Sequence, residues 1–338
     1  MRKLRLLLFP FSIIYYVVTL LRNRLYNSDI LSSKKYDLPI ICVGNLSVGG
    51  TGKSPMTEYI IRLLVNDSNV ATLSRGYGRH TKGYRDVSPS DPVRKVGDEP
   101  LQFAQKFKEL SVAVCEDRQL GIETLLTKEN KPDIILLDDA FQHRKVEAGF
   151  NVLLTAYGDL YCDDYLLPAG NLREPKSGAK RAQVIVVTKC PDTLTIDEER
   201  EIKNKLDLSV SQKLFFSKIT YDAQVFSTKG GVQLNSLKTK KVTLVTGIAN
   251  PSLFVQHIAL QGVSFTHKQY KDHHNFSKNE LEELEELECI LTTEKDYVRL
   301  RPMLKKVKLF YLPIKIELIK DAALFDAMIY NCVREEKR

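Results

Sequence analysis

Residues 43–54 read V-G-N-L-S-V-G-G-T-G-K-S, and no other stretch of the chain limits its possible folds so tightly. The segment follows an apolar run, 38–43, and precedes a stretch of helical spacing at about 53–66. Gly49, Gly50 and Gly52 let the backbone close around a compact anion with its N–H groups turned inward. The helix that follows adds the positive end of its dipole. A strand, a glycine-rich turn and a helix opening on Lys and Ser make a phosphate-binding loop, whose host is a parallel α/β sheet. Lys53 is placed to reach the β- and γ-phosphates of a nucleotide, and Ser54 to offer its hydroxyl to magnesium. Ser47, Val48, Gly49, Gly50, Thr51 and Gly52 supply the cradle. The common spacing G-x-x-x-x-G-K-S/T asks for Gly at position 47, where this chain has Ser47; the glycines at 49 and 50 still let the loop turn.

The rest of the chain agrees with that host. Apolar runs at 38–43, 70–73, 112–115, 134–138, 151–154 and 184–187 are nearly continuous, as expected of parallel strands covered on both faces. Helical patterns at about 53–66, 98–108, 117–128 and 196–208 alternate with them, which predicts a doubly wound, mostly parallel sheet. The organisation changes after about residue 213. A connecting strand at 214–219 and a turn at Gly230-Gly231 lead to a smaller α/β set: strands at 242–245, 263–267 and 290–291, with helices near 251–260 and 277–288. Runs at 308–312 and 314–316 are expected to return the chain to the first domain, and 321–334 to close as an amphipathic helix. The division expected is 1–25 as a separate helix, 26–222 as the nucleotide core with 318–338 packed back on it, and 223–317 as the smaller domain.

Paired with the loop, the run I-I-L-L-D-D at 134–139 becomes informative, because an apolar strand ending in a carboxylate puts that carboxylate near the metal. Asp138 or Asp139 is expected there, and the pattern does not choose between them. Guanine readers carry N/T-K-x-D after a late strand; here Thr188-Lys189-Cys190 ends on Pro191, and Thr293-Glu294-Lys295-Asp296 is out of register, so ATP is favoured over GTP. The chromosome-partitioning ATPases place a second Lys where this chain has Val48. Two further clusters suit a kinase. Gly97-Asp98-Glu99-Pro100 opens a helix, where Asp98 is suited to take a proton from an acceptor hydroxyl and Glu99 to join the metal shell. Asp272-His273-His274-Asn275 offers a histidine that would form a base dyad with a carboxylate across a cleft. Arg173, in Asn171-Leu172-Arg173-Glu174-Pro175, is suited to neutralise charge developing on the transferred phosphoryl group.

The N-terminus carries Arg2, Lys3 and Arg5 before an uncharged run, 6–21, with Arg22 and Arg24 behind it. Sixteen residues are short for a spanning helix. Basic residues at both ends predict a helix lying in or dipping into a membrane surface. The formal net charge of +8 points to an anionic partner. Six cysteines without a C-x-x-C pair exclude the common zinc and redox motifs and suit a reducing compartment.

Taken in order, G-N-L-S-V-G-G-T-G-K-S-P, S-R-G-Y-G-R (74–79), G-D-E-P, D-D-A-F-Q-H-R (138–144), L-L-P-A-G-N-L-R-E-P (166–175), T-K-C-P, G-I-A-N-P (247–251), D-H-H-N-F (272–276) and T-T-E-K-D (292–296) resemble the tetraacyldisaccharide 4′-kinase (lipid A 4′-kinase) family. The likeness runs along nearly the whole chain, and Ser47 falls within the family's loop. The resemblance implies ATP and Mg2+ as cofactors and two α/β domains joined by a two-stranded ribbon. It also implies an anionic tetraacyl glucosamine disaccharide 1-phosphate as acceptor, phosphorylated at its 4′-hydroxyl. It implies a monotopic enzyme on the cytoplasmic face of a Gram-negative inner membrane, with no nucleic acid and no obligate protein partner. Asp98 and His273 then look like the catalytic dyad, Lys53 and Ser54 like the phosphate and metal contacts, and Glu99, Asp138 and Asp139 like metal carboxylates. Arg173 and Glu174 carry over less directly. The rival from the residues alone is a membrane-associated NTPase switch or metallochaperone, for which Asp98 and His273 would be dispensable.

Overall fold

The structure, a computed structural model, describes residues 2–272 and 274–335. In chain order its strands are β1 (Ile40–Asn45), β2 (Val70–Ser74), β3 (Arg85–Asp86), β4 (Ser111–Val114), β5 (Ile134–Asp138), β6 (Phe150–Ala156), β7 (Val184–Thr188), β8 (Lys213–Tyr221), β9 (Gln224–Ser227), β10 (Gly230–Gln233), β11 (Val242–Thr246), β12 (Phe265–Gln269), β13 (Cys289–Thr293), β14 (Lys308–Leu312) and β15 (Ile314–Leu318). They form a nine-stranded sheet, β15-β8-β7-β6-β1-β5-β2-β4-β3, and a six-stranded sheet, β10-β9-β14-β13-β11-β12. From β8 to β4 the larger sheet is parallel; only its edges, β15 and β3, run antiparallel.

The apolar runs form these strands because both faces of the sheet are covered. Ile41, Val43, Leu136, Val152 and Val186 belong to the core on one face. Their neighbours Ile40, Cys42, Leu137, Leu153 and Val187 belong to the core on the other. The alternation is that of a pleated strand with two apolar sides. The closing helix Ala322–Glu335 joins the first of these cores, with Phe325 edge-on to Phe215 at 5.3 Å and to Tyr59 at 5.7 Å. At the centre, β1 is flanked by β5 on one side and β6 on the other. The chain reverses direction across the sheet there, the point at which sheets of this kind leave room for a ligand beyond the carboxyl ends of their strands.

Several boundaries differ from expectation. Gly230 and Gly231 are not a turn: they begin β10, paired with Ser227 and Phe226 of β9. A Cβ on Gly231 would lie 2.8 Å from the Phe226 ring, so the glycine makes room for a cross-strand aromatic. The run 308–312 stays in the smaller sheet as β14, and only β15, one proline later, returns to the larger sheet, where it pairs with β8 as a ribbon. The strand expected at 263–267 starts two residues later, at Phe265.

The N-terminal apolar run is not a core helix. Phe9–Asn27 is helical, and Phe11, Ile14, Val18 and Leu21 form a stripe at helical spacing, each more than half exposed. The opposite face is fastened to the body by polar contacts. Ser12 Oγ donates to the Leu166 carbonyl (3.0 Å), the Tyr15 hydroxyl to the Arg173 carbonyl (2.8 Å) and Asn23 Nδ2 to Glu174 Oε2 (3.0 Å).

Candidate active site

The loop after β1 is built as its glycines require. Gly49 and Gly52 take φ of 117° and 86°, values a side chain would disfavour. The helix Lys53–Leu64 starts directly behind them. Ser47 is buried and bridges to Leu172, and the Val48 N–H donates to the Asn171 carbonyl at 2.8 Å, so the segment around 166–175 closes one side of the loop. Asn45, the last residue of β1, ties the site together. Its Nδ2 donates to Thr51 Oγ1 (2.8 Å), and its Oδ1 accepts from Lys53 Nζ (3.5 Å) and from Arg173.

Asp138 and Asp139 separate in space. Asp138 is buried under the loop and accepts from Thr57 Oγ1 of the loop helix at 3.2 Å. Burial, and then the carboxylates of Glu99 and Asp139, push its carboxyl well above the usual range. Asp139 takes a left-handed φ of 49°, which turns its side chain to Arg173 at 2.7 Å and Lys53 at 3.7 Å. Burial acts to raise its pKa, but the two cations outweigh it and hold the carboxylate below its ordinary value. Arg173 therefore sits beside Lys53, across Asp139, at the mouth of the loop.

Asp98 and Glu99 begin the helix Asp98–Lys106 behind Gly97, whose φ of 92° and close approach to Gly76 suit only glycine. The Ser54 hydroxyl donates to Glu99 Oε1 at 2.9 Å. Asp98 is buried, with Oδ1 accepting from the Glu99 N–H. Of the D-H-H run, His273 lies outside the described residues, so its placement against Asp98 stays an expectation. Its neighbour His274 is engaged with Glu280 at 3.0 Å and stacks on Tyr270. Glu174 serves the framework, accepting from Asn23, Gln142 and Arg181.

Two lysines had no role in the sequence reading. Lys189, with a left-handed φ of 59°, donates from Nζ to the Gly50 carbonyl, and its neighbour Thr188 donates from Oγ1 to the Thr51 carbonyl at 2.7 Å. The end of β7 thus braces the phosphate loop twice. Lys295, from the helix Glu294–Leu300, reaches Glu99 (3.7 Å), Asp272 (3.8 Å) and Asp98 (4.0 Å). The motifs T-K-C-P and T-T-E-K-D contain these lysines, but spacing alone gave no reason to bring them to this site.

The oxygen donors fit a magnesium ion. Ser54 and Glu99 are already adjacent, and Asp138 lies buried beneath them, its carboxyl raised by burial and then by Glu99 and Asp139. Among the described residues no three His, Cys, Asp or Glu side chains converge on one point. Magnesium needs no such cage, since it keeps several waters and takes much of its shell from nucleotide phosphates.

Comparison with known proteins agrees. A family model described as tetraacyldisaccharide-1-P 4′-kinase matches residues 4–334. The tetraacyldisaccharide 4′-kinase of Flavobacterium johnsoniae is 47% identical over 338 residues, covering 99% of this chain and 99% of its own. That of Bacteroides fragilis is 43% identical over 357 residues, covering 99% and 95%. The crystal structure of LpxK from Aquifex aeolicus in complex with ATP superimposes with a TM-score of 0.79 at 32% identity, over 98% of this chain and 99% of that one. Matched along nearly its whole length by the family model, by these relatives and by the solved fold, this chain belongs to the tetraacyldisaccharide-1-phosphate 4′-kinase family.

Proposed function

We propose that this chain transfers the γ-phosphate of ATP to the 4′-hydroxyl of a tetraacyl glucosamine disaccharide 1-phosphate, a step of lipid A biosynthesis. Family membership along the full chain supports the reaction and the acceptor class. The observation that carries the reading from this chain's own residues is the meeting of Ser54 with Glu99, one residue from buried Asp98. It sets a phosphate-loop hydroxyl beside the carboxylates suited to an acceptor.

The loop N–H groups and Lys53 hold the phosphates in line, and positioning of this kind supplies much of the rate in phosphoryl transfer. Ser54 and Glu99 would hold Mg2+, with Asp138 beneath them. The ion, when bound, neutralises charge on the phosphate oxygens. Arg173, oriented by Asp139 and Asn45, points a fixed guanidinium at the loop mouth, where charge develops on the transferred group. Asp98, with His273, takes the proton from the acceptor hydroxyl; base assistance of this kind contributes about 10²–10⁴-fold.

The exposed stripe Phe11, Ile14, Val18 and Leu21, bounded by Arg5, Arg22 and Arg24, lies in the cytoplasmic leaflet of the inner membrane. The same helix contacts the Arg173 segment through Tyr15, so the anchor is fastened to the backbone of the residue at the loop mouth. Radiolabelled γ-phosphate from ATP, offered with the disaccharide acceptor in mixed micelles, tests the assignment. Labelled lipid that disappears in Lys53→Ala supports it, and free phosphate without labelled lipid refutes it.

A further inference from the structure

Lys295 does not belong to the domain that carries the phosphate loop, yet its ammonium faces that domain's Asp98 and Glu99, with Asp272 of its own domain alongside. It lies 3.7 Å from Glu99, 3.8 Å from Asp272 and 4.0 Å from Asp98. All three are ion-pair distances. Burial works against its charge, but Glu99, Asp98 and Asp272 together outweigh burial and raise its pKa.

Its sequence neighbours are committed elsewhere. Glu294 docks on the core: Lys106 Nζ bridges Glu294 Oε2 (2.7 Å) and Glu58 Oε2 (2.8 Å), joining the second domain to the loop helix. Asp296 is fully buried, accepting from Thr293 Oγ1 (2.7 Å), from the Gly247 N–H (2.9 Å) and from Arg299. Of the run E-K-D, only the lysine turns to the acid cluster. The docking pair one residue earlier, Glu294 on Lys106, brings it there.

We propose that before nucleotide arrives the Lys295 ammonium holds the place of the metal ion beside Glu99, and that it yields Glu99 when magnesium enters with ATP. The proposal rests on Glu99 as a metal carboxylate. In the nucleotide-free protein this ammonium offsets part of the carboxylate charge and competes with a divalent ion for the Glu99 oxygens. Metal binding then waits for phosphate oxygens to tip the competition. The second domain thereby opposes metal binding in the nucleotide-free enzyme and keeps its contact with Asp98 in the loaded one.

The test is Mn2+ binding to the full-length, nucleotide-free protein in detergent, read by the loss of the free-ion EPR signal. Lys295→Met and Lys295→Gln should each bind Mn2+ more tightly than the unaltered protein, on the order of tenfold. Lys295→Arg, which keeps the charge, should stay as weak as the unaltered protein, and melting curves report that each variant is folded. The gain should vanish when Glu99→Gln is added to Lys295→Met. No gain in either neutral variant, or an equal gain in Lys295→Arg, overturns the proposal. If neither neutral variant gains, yet Glu99→Gln weakens Mn2+ binding to the ATP-loaded enzyme, the ligand assignment stands and only the placeholder falls. A gain that survives Glu99→Gln puts the ion elsewhere and removes both.

Discussion

The Ser54 hydroxyl donates to Glu99 Oε1 across 2.9 Å, so the first turn of the phosphate-loop helix and the first turn of the helix Asp98–Lys106 meet at one hydrogen bond. In the proposed reaction the pair joins the nucleotide side of the site to the acceptor side. Glu99→Gln keeps the shape and removes the charge. It should lower kcat on the order of a hundredfold and shift the magnesium dependence to higher concentration, since a lost electrostatic partner in such a site costs about 10²–10³. A magnesium titration of initial rates checks this, and an unchanged half-saturating concentration would remove Glu99 from the metal shell.

Asp98→Ala should lower turnover by about 10²–10⁴-fold while ATP still binds, because the part proposed for it is proton transfer and not phosphate binding. Parallel nucleotide titration and steady-state rates separate the two. A loss confined to ATP affinity would argue for a purely structural Asp98.

Asp138 and Asp139 should part company on substitution. The Asp138 carboxyl is raised by burial and by Glu99 and Asp139, so its ionised form weakens the fold at neutral pH. Asp138→Asn should melt a few degrees higher in the metal-free protein while losing activity, the usual exchange at a strained site. In Asp139 the charge is favourable, held by Lys53 and Arg173, and Asp139→Asn should melt no higher than the unaltered protein. Scanning calorimetry of both variants decides, and a higher melting point for Asp139→Asn contradicts the assignment.

Glu294 gives the interdomain contact a pH signature. Burial, then the Glu58 carboxylate, raise its pKa from an ordinary 4.5 to about 7, against the pull of Lys106. A carboxyl raised on folding binds more protons folded than unfolded between those values. Its contribution to stability is therefore complete below 4.5 and is lost as pH climbs through about 7. Glu294→Gln should flatten the stability profile over that window. Denaturant melts between pH 5 and pH 8 measure it, and parallel profiles for the two proteins would contradict the shift.

Lys189 braces the loop at Gly50 and is itself made a weaker base by burial and by Lys53. Lys189→Met should raise KM for ATP several-fold with a smaller change in kcat, and Lys189→Arg should recover part of the loss. Equal KM values in all three proteins would reduce Lys189 to a surface contact.

The chain's local chemistry already contained the phosphate loop, the order of strands and helices, and the apolar N-terminal stripe. Each of these rests on neighbours in sequence: glycines where φ is positive, apolar runs covered on both faces, hydrophobic positions at helical spacing. The two-residue β3, the four-residue β9 and the place of Gly231 opposite Phe226 escaped because such short strands hold too few residues to show a periodic pattern. Asp138 and Asp139 were indistinguishable as two letters at a strand end. Only a left-handed turn at Asp139 sends one under the loop and the other to Lys53 and Arg173. Lys189 and Lys295 reach the site from β7 and from the second domain. Such contacts depend on which elements pack together, and ion pairs between residues far apart in sequence leave no periodic trace in the chain. Sequence alone determined the chemistry available at the loop; tertiary packing decided which charges stand beside it, because only the folded backbone sets the distances on which their interaction depends.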